Sequence, residues 1–232
     1  MRRFERQGRD RIQEALESLQ ERLFVGLDTD TAEQALRRLD NQDIVQPFRD
    51  TITALIQEWA QAGSDFGREQ IEREVFGVKQ GPTIDWELAN EAAARWAIEH
   101  AGQLVAQING TTRKRIRTEL AAFVQNQEEL PALIERLAPT FGRERAELIA
   151  VTEVTNAFAA ANEIAWRESG VVEEKEWRTN NDEIVAECPI CFPMHKERAP
   201  VGQDWEHPTR GAISLPGHPR CRCWSVPVPL GE

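Results

Sequence analysis

The cysteines of the chain all fall in its last quarter, as Cys188-Pro189-Ile190-Cys191 and then, beyond residues 192–217, as His218-Pro219-Arg220-Cys221-Arg222-Cys223. Two short ligand clusters separated by a loop can close a tetrahedral nitrogen and sulfur site around Zn2+. An ion held in that way ties remote segments together, so it dictates a compact C-terminal module whatever the rest of the chain does. Cys188, Cys191, His218, Cys221 and Cys223 compete for four positions. Cys188 and Cys191 have the gap of a metal-binding turn, with Pro189 restricting the backbone between them. In an extended Cys221-Arg222-Cys223 both sulfurs face one side, whereas His218 must reach back across a Pro-Arg turn. The second pair reads as His218 plus one cysteine, and the sequence leaves open which cysteine is spare. Arg220 and Arg222 stand beside the anionic thiolate cluster, either as partners to it or as solvated charge.

Two disulfides are the alternative in an oxidising compartment. A thioredoxin-like redox pair would open a helix, and Phe192-Pro193-Met194-His195 with Pro200 beyond does not propagate one. His195 and His207 lie in a polar loop with no cysteine at close spacing, and both are expected at the surface.

Composition bounds the rest. A chain of 232 residues, 41% of them hydrophobic, can bury a real core as one large or two small domains. There is no signal-peptide pattern at the N-terminus and no apolar run long enough for a membrane span, so no membrane association is expected. The net charge of −11 opposes wrapping of nucleic acid by the whole surface. Two local basic stretches, Arg2 to Arg11 and Arg113 to Arg117, leave room for local contact with DNA.

The periodicity predicts a mainly α (α+β) fold with helical N-terminal and central regions and a small zinc-stapled β-rich C-terminal module. Ile12, Leu16, Leu19 and Leu23, then Leu36 and Leu39, then Ile52, Leu55, Ile56 and Trp59 recur at helical intervals. Asp28 to Thr31 offer N-caps, Pro47 is expected to open a helix, and Gly63 and Gly67 to punctuate after it. Gly77 to Pro82 reads as a linker, giving an N-terminal region 1–82 and a second domain 83–232, itself divided into a helical part 83–170 and a β module 171–232. In the second domain Trp86, Ala89, Ala93, Trp96, Ala97 and His100 share one helix face, with His100 partly buried. Asn109-Gly110 is expected to break that helix, Thr111 and Thr112 to cap the next, and Leu130-Pro131 to start a third that stops near Pro139. Arg143 to Glu168 forms a core helix whose Ala146, Ala150, Ala157, Ala161 and Ala165 let other helices approach closely, ended by Ser169-Gly170. After it Val171 to Thr179 reads as a strand, Asn180-Asn181-Asp182 as a turn, and Trp224, Val226 and Val228 as an edge strand confined by Pro227 and Pro229. Residues 192–217 are too long for a structureless loop unless pinned.

Trp86-Glu87-Leu88-Ala89-Asn90, Arg143 to Thr155 with its downstream Asn162, then Trp177, Asp182, the Cys188 pair and His218-Pro219-Arg220-Cys221-Arg222-Cys223 follow one another in that order. On these residues the chain, over about residues 84 to 229, resembles the phage head-morphogenesis family, the Mu F-like minor head proteins. Val151 stands where the family pattern carries Arg. Thr152, Glu153 and Asn156 suit either local hydrogen bonds within the helix or a buried cluster or partner contact. The resemblance implies a minor capsid protein of a phage or prophage that binds the portal protein or the major capsid protein and assists head assembly, DNA packaging or DNA delivery. It implies a location in the virion, at the capsid interior or portal vertex, and in the bacterial host cytoplasm during assembly.

The residues themselves supply no catalytic group. A zinc hydrolase needs an open coordination position and a general base, often as His-Glu-x-x-His, and Glu206-His207 lacks the second histidine. The expectation is a structural protein with a closed metal site rather than an enzyme. A zinc hydrolase, a toxin-like effector, or a zinc-bearing nucleic-acid adaptor using Arg198, Arg210, Arg220 and Arg222 are the competing classes.

Overall fold

A computed structural model describes residues 1–24, 37–75, 86–126, 130–180 and 183–228. Helices dominate: α1 (Arg2–Phe24), α2 (Gln42–Gln70), a π turn (Ile71–Val75), α3 (Trp86–Asn126), α4 (Leu130–Phe141) and α5 (Arg143–Ser169). A small antiparallel β module follows, with β1 (Glu174–Arg178), α6 (Glu183–Ala186), a 3-10 turn (Phe192–Met194), β2 (Arg198–Pro200), β3 (Trp205–His207), β4 (Gly211–Ile213) and β5 (Trp224–Val228). The mainly α class with a C-terminal β module is therefore the observed one. Among the described residues no helix is long and apolar enough to cross a membrane. The expected caps at Asp28 to Thr31, the stripe residue Leu36, the linker Gly77 to Pro82, and Asn181, Asp182 and Pro229 lie outside the described residues.

The chain forms two compact units. One holds residues 2–55 and 99–150, the other residues 56–98 and 151–232, so each draws on both sides of the expected boundary near residue 82. The divisions fall inside α2, α3 and α5.

In the unit formed by residues 2–55 and 99–150, the narrow stripe of α1 is covered: Ile12, Leu16, Leu19 and Leu23 are each at most 1% exposed. Leu39, Val45, Phe48, Ile52, Leu104, Val105, Leu137 and Phe141 are buried in the same unit, and Phe24 meets Phe141 edge to face at 6.3 Å. Burial of this kind is worth about 25 cal/mol per Å2, the main force holding amphipathic helices in place. Pro47 does not open α2 but sits within it. Asn41 supplies the start instead, its side-chain oxygen accepting from Asp43 N–H at 2.9 Å. Asn109-Gly110 does not break α3, nor do Thr111 and Thr112 cap a new helix. Both hydroxyls donate back to the Ile108 carbonyl, at 2.9 and 2.7 Å, and the Arg145 guanidinium donates to that carbonyl at 3.2 Å and to Thr111 at 2.8 Å. Arg145 also donates to Thr140 O. Contacts from α5 thus carry α3 through a dipeptide that favours a turn in isolation. α4 ends at Phe141, close to Pro139 as expected.

In the other unit Gly63 and Gly67 do not end α2; they are its contact face for α5. A Cβ on Gly63 would lie 2.9 Å from Phe158 Cα and 3.0 Å from Ala161 Cβ. The alanines of α5 and the glycines of α2 together permit this close approach. On α3, Ala89, Ala93 and Ala97 are buried, and Asn90 accepts a hydrogen bond from Ser64 at 2.8 Å. Gly170, with φ +66°, ends α5 as the sequence predicts. Ile71 at the π turn packs with Trp166 and Val172.

The β module extends from α5. β2, β1 and β5 form an antiparallel sheet in that order, with Trp177 opposite Ser225 and Lys175 opposite both Ala199 and Pro227. β5, carrying Pro227, is an edge strand as expected, and β3 and β4 make a separate hairpin within residues 192–217. Lys175 is 2% exposed, lies 4.1 Å over the Trp205 ring and donates to Glu163 of α5 at 2.7 Å. Glu163 also accepts from Gly202 N–H. That carboxylate therefore ties the helix to the sheet and to the loop after β2.

Candidate metal centre

The module is built on an aromatic pair. Trp177 of β1 and Trp205 of β3 meet edge to face at 5.2 Å, and Cys191, Met194, Ala199, Leu215, Cys221 and Cys223 pack into the same core. The two ligand segments reach this core from different directions. Cys188 follows α6, with its N–H bonded to Val185 O, and Cys191 leads into the 3-10 turn. Cys191 N–H donates to Cys188 Sγ at 3.4 Å, the backbone-to-sulfur bond of a tight ligand turn. His207 holds that turn from outside: its Nε2 lies 3.3 Å from Pro189 O, and its Nδ1 accepts from Thr209 N–H at 3.1 Å. The expectation of a surface histidine fails for His207, which is 5% exposed. Its polar neighbours satisfy both ring nitrogens, so burial is not penalised. His195 is half-buried, with Nδ1 accepting from Thr179 N–H at 3.3 Å.

The second segment is a reverse turn. Cys221 N–H donates to His218 O at 3.1 Å, Pro219 occupies the position after His218, and Arg220 has φ +63°. Proline followed by a positive φ is the pattern of a type II turn, and Arg220 stands where glycine is favoured. His218 Nδ1 lies 2.7 Å from Pro219 O. An N–H at Nδ1 donated to that carbonyl leaves the Nε2 lone pair free to bind an ion.

The donor atoms converge. His218 Nε2 lies 3.4 Å from Cys188 Sγ and 3.1 Å from Cys191 Sγ, and Cys191 Sγ lies 3.8 Å from Cys221 Sγ. Bond lengths of about 2.3 Å to sulfur and about 2.0 Å to nitrogen give a tetrahedral site edges of about 3.8 Å between sulfurs and about 3.5 Å between sulfur and nitrogen. The Cys191–Cys221 edge matches that figure, and the two edges to His218 Nε2 are about 0.1 and 0.4 Å shorter. The ligand atoms of Cys188, Cys191 and His218 lie within 4.8 Å of one another, and so do those of Cys191, Cys221 and Cys223. All the sequence-predicted ligands are thus brought into one cluster able to hold a metal ion, with Cys191 common to both groups.

Without a cation this cluster is electrostatically crowded. Hydrogen bonds from Cys191 and Cys223 hold the Cys221 thiol far below its usual range, to about 2, whereas those to Cys221 and Cys223, with burial, push Cys191 far up. Cys223 is drawn down by Cys191, but its hydrogen bond to Cys221 and its burial outweigh this and push it up to about 12. One thiolate is accommodated at the expense of its neighbours. A bound dication removes that conflict, because it favours the ionised form of every ligand.

Thr152 and Thr155 on α5 meet the second segment. Thr155 Oγ donates to Cys221 O at 2.7 Å in a buried contact, and Arg220 N–H donates to Thr152 Oγ at 3.0 Å. Thr152 therefore makes a contact across the fold, which the local reading of its hydroxyl does not include. Asn156 does bond locally, to Glu153 at 3.3 Å. Thr155 was legible only as part of the Thr152-Glu153-Val154-Thr155 run, since a threonine inside a helix carries no sign of a distant partner.

Comparison with models of known protein families finds no match, and no curated protein or solved structure matches the chain.

Proposed function

We propose that the chain is a minor head protein of a phage or prophage, related to the head-morphogenesis family, with a module locked by one structural Zn2+. The observation that carries this reading is that three blocks of the resemblance, the Thr152–Thr155 run, Trp177 and the Cys/His segments, meet in one place. The Thr152 and Thr155 hydroxyls bond the His218-to-Cys223 segment, and Trp177 packs in the same core as Cys191, Cys221 and Cys223. Their meeting supports the reading.

Zinc suits the donor set better than the harder divalent ions, which prefer oxygen. In this reading Cys188, Cys191 and His218 would be joined by Cys221 or Cys223 as the fourth protein ligand, which would leave no position for water and make the ion a staple rather than a Lewis acid. The same saturation argues against a hydrolase. Arg113 is paired with Asp40 and Arg115 with Glu119, which weakens the Arg113–Arg117 stretch as a DNA-binding patch. In this reading the partners are the portal protein or the major capsid protein, and the location is the virion after assembly in the host cytoplasm.

The test is co-expression with a portal protein of the same phage or prophage, followed by purification at native salt and metal analysis. The reading requires one zinc per chain and a complex that survives gel filtration. Folded, zinc-loaded protein that associates with neither portal rings nor capsids rejects the assembly role.

A further inference from the structure

Two hydroxyls one helical turn apart bracket Cys221. Thr152 Oγ accepts the N–H of Arg220, and Thr155 Oγ donates to the C=O of Cys221. The bonds fix peptide units on either side of a candidate ligand. They run in opposite senses, so the segment can neither slide along α5 nor rotate without breaking one of them. Arg220 needs such a hold, because its φ of +63° is a conformation that side chains other than glycine adopt with difficulty. The contact partners come from the core helix, whose neighbouring Val151 and Val154 are at most 1% exposed.

We infer that Thr152 and Thr155 are positioning residues of the metal centre, holding the His218-to-Cys223 turn against Cys188 and Cys191. Neither touches the ion. The inference rests on the metal reading above and adds to it the device by which the helical core sets the affinity of the site. Partners of this kind typically change metal affinity by about 10- to 100-fold when removed.

The experiment uses the full chain loaded with Zn2+ and measures zinc release to a chromophoric chelator. Cobalt-substituted samples report ligand geometry through their d–d absorption bands. Thr155→Val removes the donor at nearly constant shape and is expected to raise the release rate by about 10- to 100-fold and shift the cobalt bands. Thr155→Ser keeps the hydroxyl and is expected to restore the wild-type spectrum and stay within about 3-fold of the wild-type rate, below the roughly 10-fold change that losing such a partner brings. Thr152→Val is the milder second variant, since the Arg220 N–H it leaves lies at the surface; a smaller but measurable acceleration is expected. Wild-type rates and spectra in both valine variants overturn the inference alone, and so does a Thr155→Ser variant as impaired as Thr155→Val. Wild-type protein that binds neither metal overturns the metal reading and the positioning role with it.

Discussion

Gly63→Ala tests how closely α2 and α5 pack, and the structure sets two opposing effects against each other. Alanine in place of glycine inside a helix stabilises by about 0.8–1.0 kcal/mol through reduced freedom of the unfolded chain. The added Cβ would meet Phe158 Cα at 2.9 Å, Ala161 Cβ at 3.0 Å and Ala157 O at 3.3 Å. Carbon atoms pack best at about 3.5–4.0 Å, so relief needs several tenths of an ångström. The obstacles are the backbone and the shortest of side chains, neither of which can rotate away. The helices themselves must separate, which places the cost in the upper part of the about 1–3 kcal/mol range for overpacking. The net expectation is a loss of about 1–2 kcal/mol, which at this chain length lowers Tm by roughly 2–8 °C. Gly102 and Gly110 on α3 supply the control, because nothing lies within 4 Å of a Cβ at either position. There the helix-propensity gain stands alone, and Gly102→Ala should raise Tm by about 2–4 °C. Thermal unfolding by far-UV circular dichroism at constant zinc compares the variants. Gly63→Ala as stable as Gly102→Ala would refute the close contact and the reasoning built on it.

The remaining tests address the metal, the buried ion pair and one surface carboxylate. Cys188→Ala should abolish stoichiometric zinc binding and open the chain to protease from about residue 180 onward while α1 to α5 stay protected; an unchanged digestion pattern with zinc still bound contradicts its role as a ligand. Glu163→Gln leaves the Lys175 ammonium, 2% exposed, without its counter-charge and should cost about 3–5 kcal/mol in denaturant titration. Lys175→Met should cost less, because the Glu163 side chain is 29% exposed and keeps water and the Gly202 N–H; equal losses would show that Lys175 is not the desolvated partner. Asp40 is held below the usual carboxylate value of 3.8 by its hydrogen bond to Arg113. Its contribution to stability is therefore present above that pH and lost as pH falls through the lower folded value, and Asp40→Asn should flatten this segment of the stability curve.

What the sequence made legible was set by local pattern or by ligand chemistry. The α1 stripe Ile12, Leu16, Leu19 and Leu23 is buried because period alone decides which face of a helix turns inward. The edge strand at Trp224–Val228 follows from alternation and from the prolines that cannot donate in a sheet centre. Cys188, Cys191, His218, Cys221 and Cys223 converge because few other arrangements use such spacing. Features that escaped were decided by a partner distant in sequence. Asn109-Gly110 reads as a break until Arg145 is seen to bond the Ile108 carbonyl, and Gly63 and Gly67 read as stops until Phe158 and Asn162 lie against them. His207 reads as a surface residue until Pro189 O and Thr209 N–H take up its ring nitrogens.

The same distinction explains how the module can be held by so little strand. β2, β3 and β4 are each three residues long, too short to hold their register by ladder bonds alone. Beside the Trp177–Trp205 core, the module is tied at three points: Glu163 on Lys175 and Gly202, the Thr152 and Thr155 pair on Arg220 and Cys221, and the cysteine-histidine cluster itself. The first two belong to α5 and exist only when that helix is folded. The third, on the metal reading, would take a cation that favours the ionised form of its thiols. Metal binding and α5 packing should therefore reinforce each other, since each fixes one side of the His218-to-Cys223 turn that the other must find in place. Ordering that turn once, rather than separately for each contact, divides its conformational cost between the two, and a cost of about 1–2 kcal/mol per residue is large beside any single hydrogen bond.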